Sequence, residues 1–307
     1  MRQLLMGMLV SGWTVAGLGL TGGQAQATTT EVSYRLNIAG QQRMLSQRIG
    51  TSACLAMVGI APEDNRIDMA QSVRRLLGNQ FLLSDGDAEA RMPAEVAPSV
   101  ALALRRVEVP ILRLSEHLGR FDDGQEIARG DIDVIDRAGM KIQRLADGAV
   151  FEMSRHYAAE LEALPFGLTN TLDMAGRQRM LIERGIKEAC LATADPGETS
   201  YHARLDETVQ LFDLSLLALR EGSSQISILP PPSAEITRAL EDLARHWMPV
   251  RAMLLEAALA DRLTLAELER LSETGHALVG RMDRIVTLYE AAAGHGQAGA
   301  VPRVARR

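Results

Sequence analysis

The sequence has few aromatic residues and only two cysteines. Phenylalanine, tryptophan and tyrosine make up 4% of its 307 residues, whereas hydrophobic residues as a whole make up 47%. Such a composition, poor in aromatics and dominated by alanine, leucine, methionine and charged side chains, favours helices over sheets. The formal net charge of −6 provides no basic surface for DNA or RNA, so no nucleic-acid partner is expected.

Motifs for catalysis and for metal or cofactor binding are also missing. The six histidines are scattered, and none is spaced from another histidine or from a cysteine as metal ligands usually are. The sequence contains no Ser-His-Asp or Cys-His arrangement and no glycine-rich phosphate loop. We therefore predict that the protein is not an enzyme and that it has no cofactor and no metal site.

Residues 1–27 have the features of a secretory signal peptide. Arg2 precedes an apolar run from Leu4 to Leu20, and Ala25-Gln26-Ala27 fits an A-x-A cleavage pattern. We predict export to the periplasm with cleavage after Ala27, and an uncleaved membrane anchor is the alternative. No later segment is apolar enough to span a bilayer, so the processed chain is not expected to cross the membrane itself.

The chain contains an internal repeat whose two copies are offset by 136 residues. Residues 36–56 and 172–192 are identical at 12 of 21 positions without a gap. Each copy contains the segment Ala-Gly-x-Gln-Arg-Met-Leu-x-x-Arg and one cysteine, Cys54 or Cys190. A long internal repeat indicates that one structural unit occurs twice, so the chain is expected to contain two similar domains.

Hydrophobic periodicity predicts four amphipathic helices in each half of the chain. Their expected bounds are 34–59, 66–84, 94–118 and 131–164, then 168–194, 201–220, 234–259 and 263–293. Because short loops join them, we predict an all-α fold of two tandem antiparallel four-helix bundles packed as a pseudo-dimer. The expected division is bundle 1 at residues 28–164, bundle 2 at residues 165–293 and a disordered tail at residues 294–307.

The repeated segment places an arginine among small residues on one helix face. At about 100° per residue, Gly40, Gly50 and Cys54 lie within about 60° of Arg43, and the second copy arranges Arg179 similarly. Each glycine costs about 1 kcal/mol relative to alanine, which indicates close approach of another backbone or a ligand. We predict that the two helices meet face to face and that a small planar oxyanion lies between the guanidinium groups, which would otherwise repel each other.

The residues leave alternatives open on this face. Arg43 and Arg179 would form ordinary interhelical salt bridges if carboxylates lie opposite them. Cys54 and Cys190 suit either a disulfide across the axis or two small buried side chains, since an exported protein permits both. Arg48 and Arg184 lie closer to the core line and are expected to pair with carboxylates of other helices. Glu183 lies one turn from Arg179, and a pair between these two residues, which would weaken anion binding in that half, is a further alternative.

The repeated pattern resembles the signature of PilJ-type domains, the N-terminal sensor domains of type IV pilus methyl-accepting transducers. The shared pattern is Asn/Asp-h-Ala-Gly-x-Gln-Arg-Met-Leu-x-x-Arg, where h is an apolar residue, and it occurs in both copies. The pattern is also similar to the P-box of NarX-type nitrate sensor kinases. In those relatives, the resemblance implies that the arginine before the methionine binds nitrate across a dimer interface, with a backbone contact from the glycine three residues earlier.

The resemblance assigns the ligand-binding role to Arg43 with Gly40 and to Arg179 with Gly176. It implies a periplasmic binding module for a small oxyanion, with nitrate or nitrite preferred. No transducer coiled coil or kinase domain is recognisable in the sequence, so a separate membrane receptor, kinase or transporter is the expected partner. The alternative is a ligand-free periplasmic scaffold that docks on a pilus or chemoreceptor component.

Overall fold

The chain folds into α-helices. The computed structural model describes residues 28–90, 92–121, 125–162, 167–259 and 263–298. Within these residues, β-pairing is limited to two isolated bridges, Asp87–Met92 and Ser223–Ile228. The predicted all-α fold is therefore confirmed. The predicted signal peptide, residues 1–27, lies outside the described residues.

The first half of the chain begins with four long helices. They are α1 (Thr29–Met57), α2 (Pro62–Asp85), α3 (Pro98–Gly119) and α4 (Arg129–His156), and the short α5 (Ala158–Leu161) follows them. The prediction that α1 starts at residue 34 is wrong, because the Thr28 side chain accepts a hydrogen bond from the backbone N–H of Glu31 and caps the helix earlier. Pro62 and Pro98 stand at the first positions of α2 and α3, where a missing backbone N–H costs nothing.

Helix α4 is shorter than predicted. The hydrophobic pattern continues to residue 164, but the helix ends at His156 because Tyr157 leaves the helical conformation, with φ −94° and ψ 24°. The Tyr157 hydroxyl hydrogen-bonds to the carboxylate of Glu95, 2.9 Å away. This contact with a residue distant in the sequence coincides with the end of α4, and the hydrophobic periodicity of the sequence cannot predict it.

The second half repeats the layout in four long helices. They are α6 (Leu168–Ala194), α7 (Thr199–Glu221), α8 (Ala234–Ala258) and α9 (Leu265–Ala298). The bounds of α6 agree with the prediction, and Ser233 caps α8 by accepting a hydrogen bond from the backbone N–H of Ile236. The predicted disordered tail is wrong for residues 294–298, because α9 continues through them; residues 299–307 lie outside the described part of the chain.

Each half packs as a four-helix bundle. In the first, α1 contacts α2 and α4, and α3 closes the bundle against the same two helices; α6, α7, α8 and α9 repeat this arrangement. Helices α1 and α6 also pack against each other and join the two bundles. Both helices are therefore buried along most of their length, polar positions included. None of the described helices is long and apolar enough to cross a membrane.

Candidate functional site

A small cavity lies between α1 and α6, with a volume of about 30 Å³. A space of this size holds a ligand of only a few atoms. Apart from Leu161, its lining consists of residues that form pairs 136 positions apart. These pairs are Ser33 and Thr169, Leu36 and Leu172, Asn37 and Asp173, Gly40 and Gly176, Arg43 and Arg179, Val150 and Val286, and Ser154 and Glu290. The cavity therefore lies on the pseudo-twofold axis that relates the two halves.

The two guanidinium groups are anchored in the same way, each within its own half. Arg43 Nη1 donates to Asp147 Oδ1 at 2.9 Å, and Arg179 Nη1 donates to Asp283 Oδ1 at 2.7 Å. These aspartates stand on α4 and α9, and they too are 136 positions apart. Equivalent contacts in both halves indicate that the two copies fold alike around the arginine.

The second terminal nitrogen of each arginine reaches across the axis. Arg43 Nη2 donates to Asp173 Oδ1 at 2.6 Å, and Arg179 Nη2 donates to Asn37 Oδ1 at 2.9 Å. Each arginine thus contacts the first motif residue of the opposite copy. These reciprocal contacts also show that α1 and α6 run parallel, since equivalent positions lie side by side.

Both arginines are buried. Arg43 is 1% exposed and Arg179 is 3% exposed. Burial lowers the pKa of Arg43, but the nearby charges of Asp173 and Asp147 outweigh burial and raise this pKa above its usual value. Burial conversely raises the pKa of Asp173, whereas Arg43 and Arg177 lower it below the usual value. At neutral pH, Arg43 and Asp173 are therefore both charged and form an ion pair.

The glycines of the motif provide room for the guanidinium groups. A Cβ built on Gly40 would lie 3.1 Å from Arg43 Nη2. A Cβ built on Gly176 would lie 3.5 Å from Arg179 Nη2 and 4.0 Å from Arg43 Nη2. The Nη2 atoms of both arginines thus lie close to one point, beside Gly176. The Gly176 carbonyl also accepts a hydrogen bond from Arg179 Nε at 3.5 Å.

The structure therefore brings together the four residues singled out in the sequence, Gly40, Arg43, Gly176 and Arg179, on one cavity. It also realises the salt-bridge alternative, because aspartates contact both arginines. Sequence reasoning missed these aspartates. The equal spacing of the two that stand on α4 and α9 is the signal that would have found them.

Glu183 does not pair with Arg179, so this alternative is wrong. Glu183 lies fully buried, and its Oε1 is 3.3 Å from Nη1 of Arg48 in the opposite half. Glu183 therefore contacts α1 and does not line the cavity. The prediction that Arg48 and Arg184 pair with carboxylates of other helices is confirmed. Their partners from α2, α6 and α7 are Asp68 and Glu183 for Arg48 and Glu207 for Arg184.

A disulfide joins Cys54 on α1 to Cys190 on α6, with an S–S distance of 2.05 Å. Both cysteines are 0% exposed. Of the two alternatives considered for these residues, the structure contains the covalent one. Among the described residues, no group of three or more histidine, cysteine or acidic side chains is arranged to hold a metal ion.

Comparison with known families identifies the repeated unit. No curated protein matches the chain. The sequence model of the PilJ family, described as "Type IV pili methyl-accepting chemotaxis transducer N-term", matches residues 29–130 and 167–274. The two matches start at the beginning of each bundle, and each includes one copy of the arginine segment. The chain therefore belongs to the PilJ family, as a sensory or interaction module that carries two copies of the domain in tandem.

Proposed function

We propose that this chain is a periplasmic binding module for a small oxyanion, preferably nitrate or nitrite, held between Arg43 and Arg179. A separate membrane receptor, kinase or transporter would recognise the module when the anion is bound. The observation that carries the proposal is the convergence of two equivalent, buried arginines on one cavity. The preference for nitrate or nitrite comes from the motif's resemblance to nitrate sensors, and periplasmic placement comes from the signal-like pattern of residues 1–27.

The cavity has the size and donors that a small planar anion requires. Its volume of about 30 Å³ suits a ligand of a few atoms and excludes a sugar or a nucleotide. The planar fork of an arginine matches the oxygens of such an anion. In addition, the Nε of Arg43 is buried without a hydrogen-bond partner among the described residues. An unpaired buried donor costs about 1–3 kcal/mol, so an acceptor that reaches this nitrogen would recover that cost.

Titration calorimetry and thermal-shift measurements on residues 28–307 test the proposal, with nitrate, nitrite and chloride compared at equal ionic strength. We expect saturable binding of nitrate or nitrite and a smaller response to chloride. Arg43→Lys and Arg179→Lys keep the charge but remove the planar fork, and each should weaken binding by about tenfold or more. The matched control is Arg155→Lys, because Arg155 is 62% exposed and lies outside the cavity.

Equal responses to nitrate, nitrite and chloride would count against the site, as would unchanged binding in both lysine variants. Circular dichroism of each variant separates lost binding from lost folding. Arg179→Lys should disturb folding less than Arg43→Lys, because the carboxylate partner of Arg179, Asp283, is 52% exposed and tolerates the loss of a neighbour.

One observation favours a second candidate function, a ligand-free scaffold that docks on a pilus or chemoreceptor component. Each guanidinium already has a carboxylate partner, Asp147 and Asp173 for Arg43 and Asp283 for Arg179. The arginines would then only hold the two bundles together. Under this alternative, the protein captures its partner with unchanged affinity in the Arg43→Lys/Arg179→Lys variant, and no small anion changes its unfolding temperature.

A further inference from the structure

The two halves of the cavity differ in charge at two of the paired positions. Asn37 of the first copy corresponds to Asp173 of the second, and Ser154 corresponds to Glu290. The other pairs are identical or, in the case of serine and threonine, closely similar. Both acidic residues belong to the second half, so the pseudo-twofold symmetry of the lining does not extend to its charge.

Asp173 is held by two cations. Its Oδ1 accepts from Arg43 Nη2 at 2.6 Å, and its Oδ2 accepts from Arg177 Nε at 2.9 Å. The counterpart of Arg177 in the first copy is the neutral Gln41. The second copy therefore supplies both a carboxylate for Arg43 and a cation that holds this carboxylate in place.

Arg179 has a neutral partner at the position equivalent to Asp173. Arg179 Nη2 bonds to the amide oxygen of Asn37 at 2.9 Å, and the Asn37 side chain also hydrogen-bonds to Glu290. Burial raises the pKa of Glu290, although Arg179 and Asn37 oppose this effect. At equivalent positions, Nη2 of Arg179 therefore bonds to a neutral amide and Nη2 of Arg43 bonds to a carboxylate.

We propose that Asp173 is a built-in counter-ion that occupies the ligand-facing nitrogen of Arg43 and sets the anion affinity of the cavity. This inference rests on the proposed function. An entering anion competes with Asp173 for Arg43 but displaces only a neutral amide from Arg179. The anion therefore binds mainly on the side of Arg179 and Asn37, with one anion per chain.

Exchanging the paired residues tests this inference. Asp173→Asn installs the residue that the first copy already has at this position, so the same bond to Arg43 can form without the charge. We expect it to lower the Kd for nitrate by about tenfold or more, and we expect Asn37→Asp to raise it by a similar factor. Titration calorimetry measures both, and circular dichroism checks the folding of each variant.

Asp147→Asn is the matched control. Asp147 also pairs with Arg43, but through Nη1, and it does not line the cavity. Its removal should change the Kd for nitrate less than Asp173→Asn does. Equal effects of the two variants would overturn the inference, because the total charge and not the occupied nitrogen would then set the affinity.

The remaining outcomes separate the inference from the proposed function. If the wild type binds nitrate and Asp173→Asn binds it no more tightly, the counter-ion role is overturned and the anion site remains. If Asp173→Asn binds nitrate and the wild type does not, the counter-ion role is supported. If no variant binds any of the anions tested, the inference fails together with the proposed function.

Discussion

At the scale of single residues, the contact between α1 and α6 is unusually polar for a protein interior. Lys187 of α6 is 1% exposed, and its Nζ donates to Asp136 at 2.6 Å and to Gln47 at 2.7 Å. The lysine stem crosses Gly50, where an added Cβ would lie 2.8 Å from its Cδ. A glycine that the sequence marked as a place of close approach thus makes room for a buried cation of the other bundle.

Asp68 illustrates how such pairs make stability depend on pH. Burial raises the pKa of its carboxyl, but hydrogen bonds from Arg48 and Ser52 outweigh burial, and the pKa lies below its usual value. A carboxyl with a lowered pKa in the folded state contributes stability above its unfolded pKa. That contribution is lost as the pH falls through the pKa of the folded state.

We therefore predict that Asp68→Asn lowers the free energy of unfolding by about 1–3 kcal/mol at pH 7, the usual range for hydrogen bonds to a charged group. The difference between variant and wild type should be smaller at pH 3, because the contribution of the carboxylate declines once the pH falls below its unfolded pKa. Urea unfolding at the two pH values measures it. A difference of the same size at both pH values would contradict the assigned ion pair.

At the scale of helices, small residues determine how closely α4 approaches α1. A Cβ built on Gly139 of α4 would lie 2.7 Å from the backbone oxygen of Ser46. A backbone atom cannot rotate away as a long side chain does, so the two helices would have to separate. By contrast, a Cβ built on Gly148 of the same helix has no neighbour within 4 Å among the described atoms.

These two glycines form a matched pair for an experiment. We expect Gly139→Ala to lower the free energy of unfolding by about 1–3 kcal/mol, because overpacking displaces α4. Gly148→Ala should raise it by up to about 1 kcal/mol, because alanine favours the helix and meets no obstacle. Chemical denaturation of both variants gives the comparison. Similar effects at the two positions would mean that helix propensity alone matters and that the close approach is absent.

At the scale of the whole molecule, the disulfide makes the contact between the bundles covalent. Cys54 and Cys190 belong to different halves and lie 136 positions apart. Closing a loop of this length restricts the unfolded chain strongly, which stabilises the folded state by about 2–5 kcal/mol. Because both sulfurs are buried, reduction requires the interface to open first.

We predict that Cys54→Ser/Cys190→Ser lowers the free energy of unfolding by about 2–5 kcal/mol while the helix content remains unchanged. Reductant should destabilise the wild type to the same level, slowly in buffer and faster in moderate urea, and should not affect the double variant. Thermal and urea unfolding with and without reductant measure both effects. A wild type that is insensitive to reductant even in urea would argue against the bond.

Several features of this protein follow from the sequence alone. The repeat, the all-α fold and the shared helix face that bears Arg43 and Arg179 could be predicted, because periodicity and small-residue spacing assign each side chain to a side of its helix. The caps and ends of the helices were predicted less accurately. The end of α4 depends on Tyr157, whose partner Glu95 stands on a different segment.

Only the tertiary structure decided which groups face each other. Asp147 lies 104 positions from Arg43 and Asp173 lies 130 positions from it, so no local pattern links these residues. The packing of α4 and α6 against α1 brings them together. For the same reason, Glu183 pairs with an arginine of the opposite half, and the two cysteines are bonded. A helical repeat specifies which face a residue occupies, whereas the residue opposite is specified by how the two bundles pack.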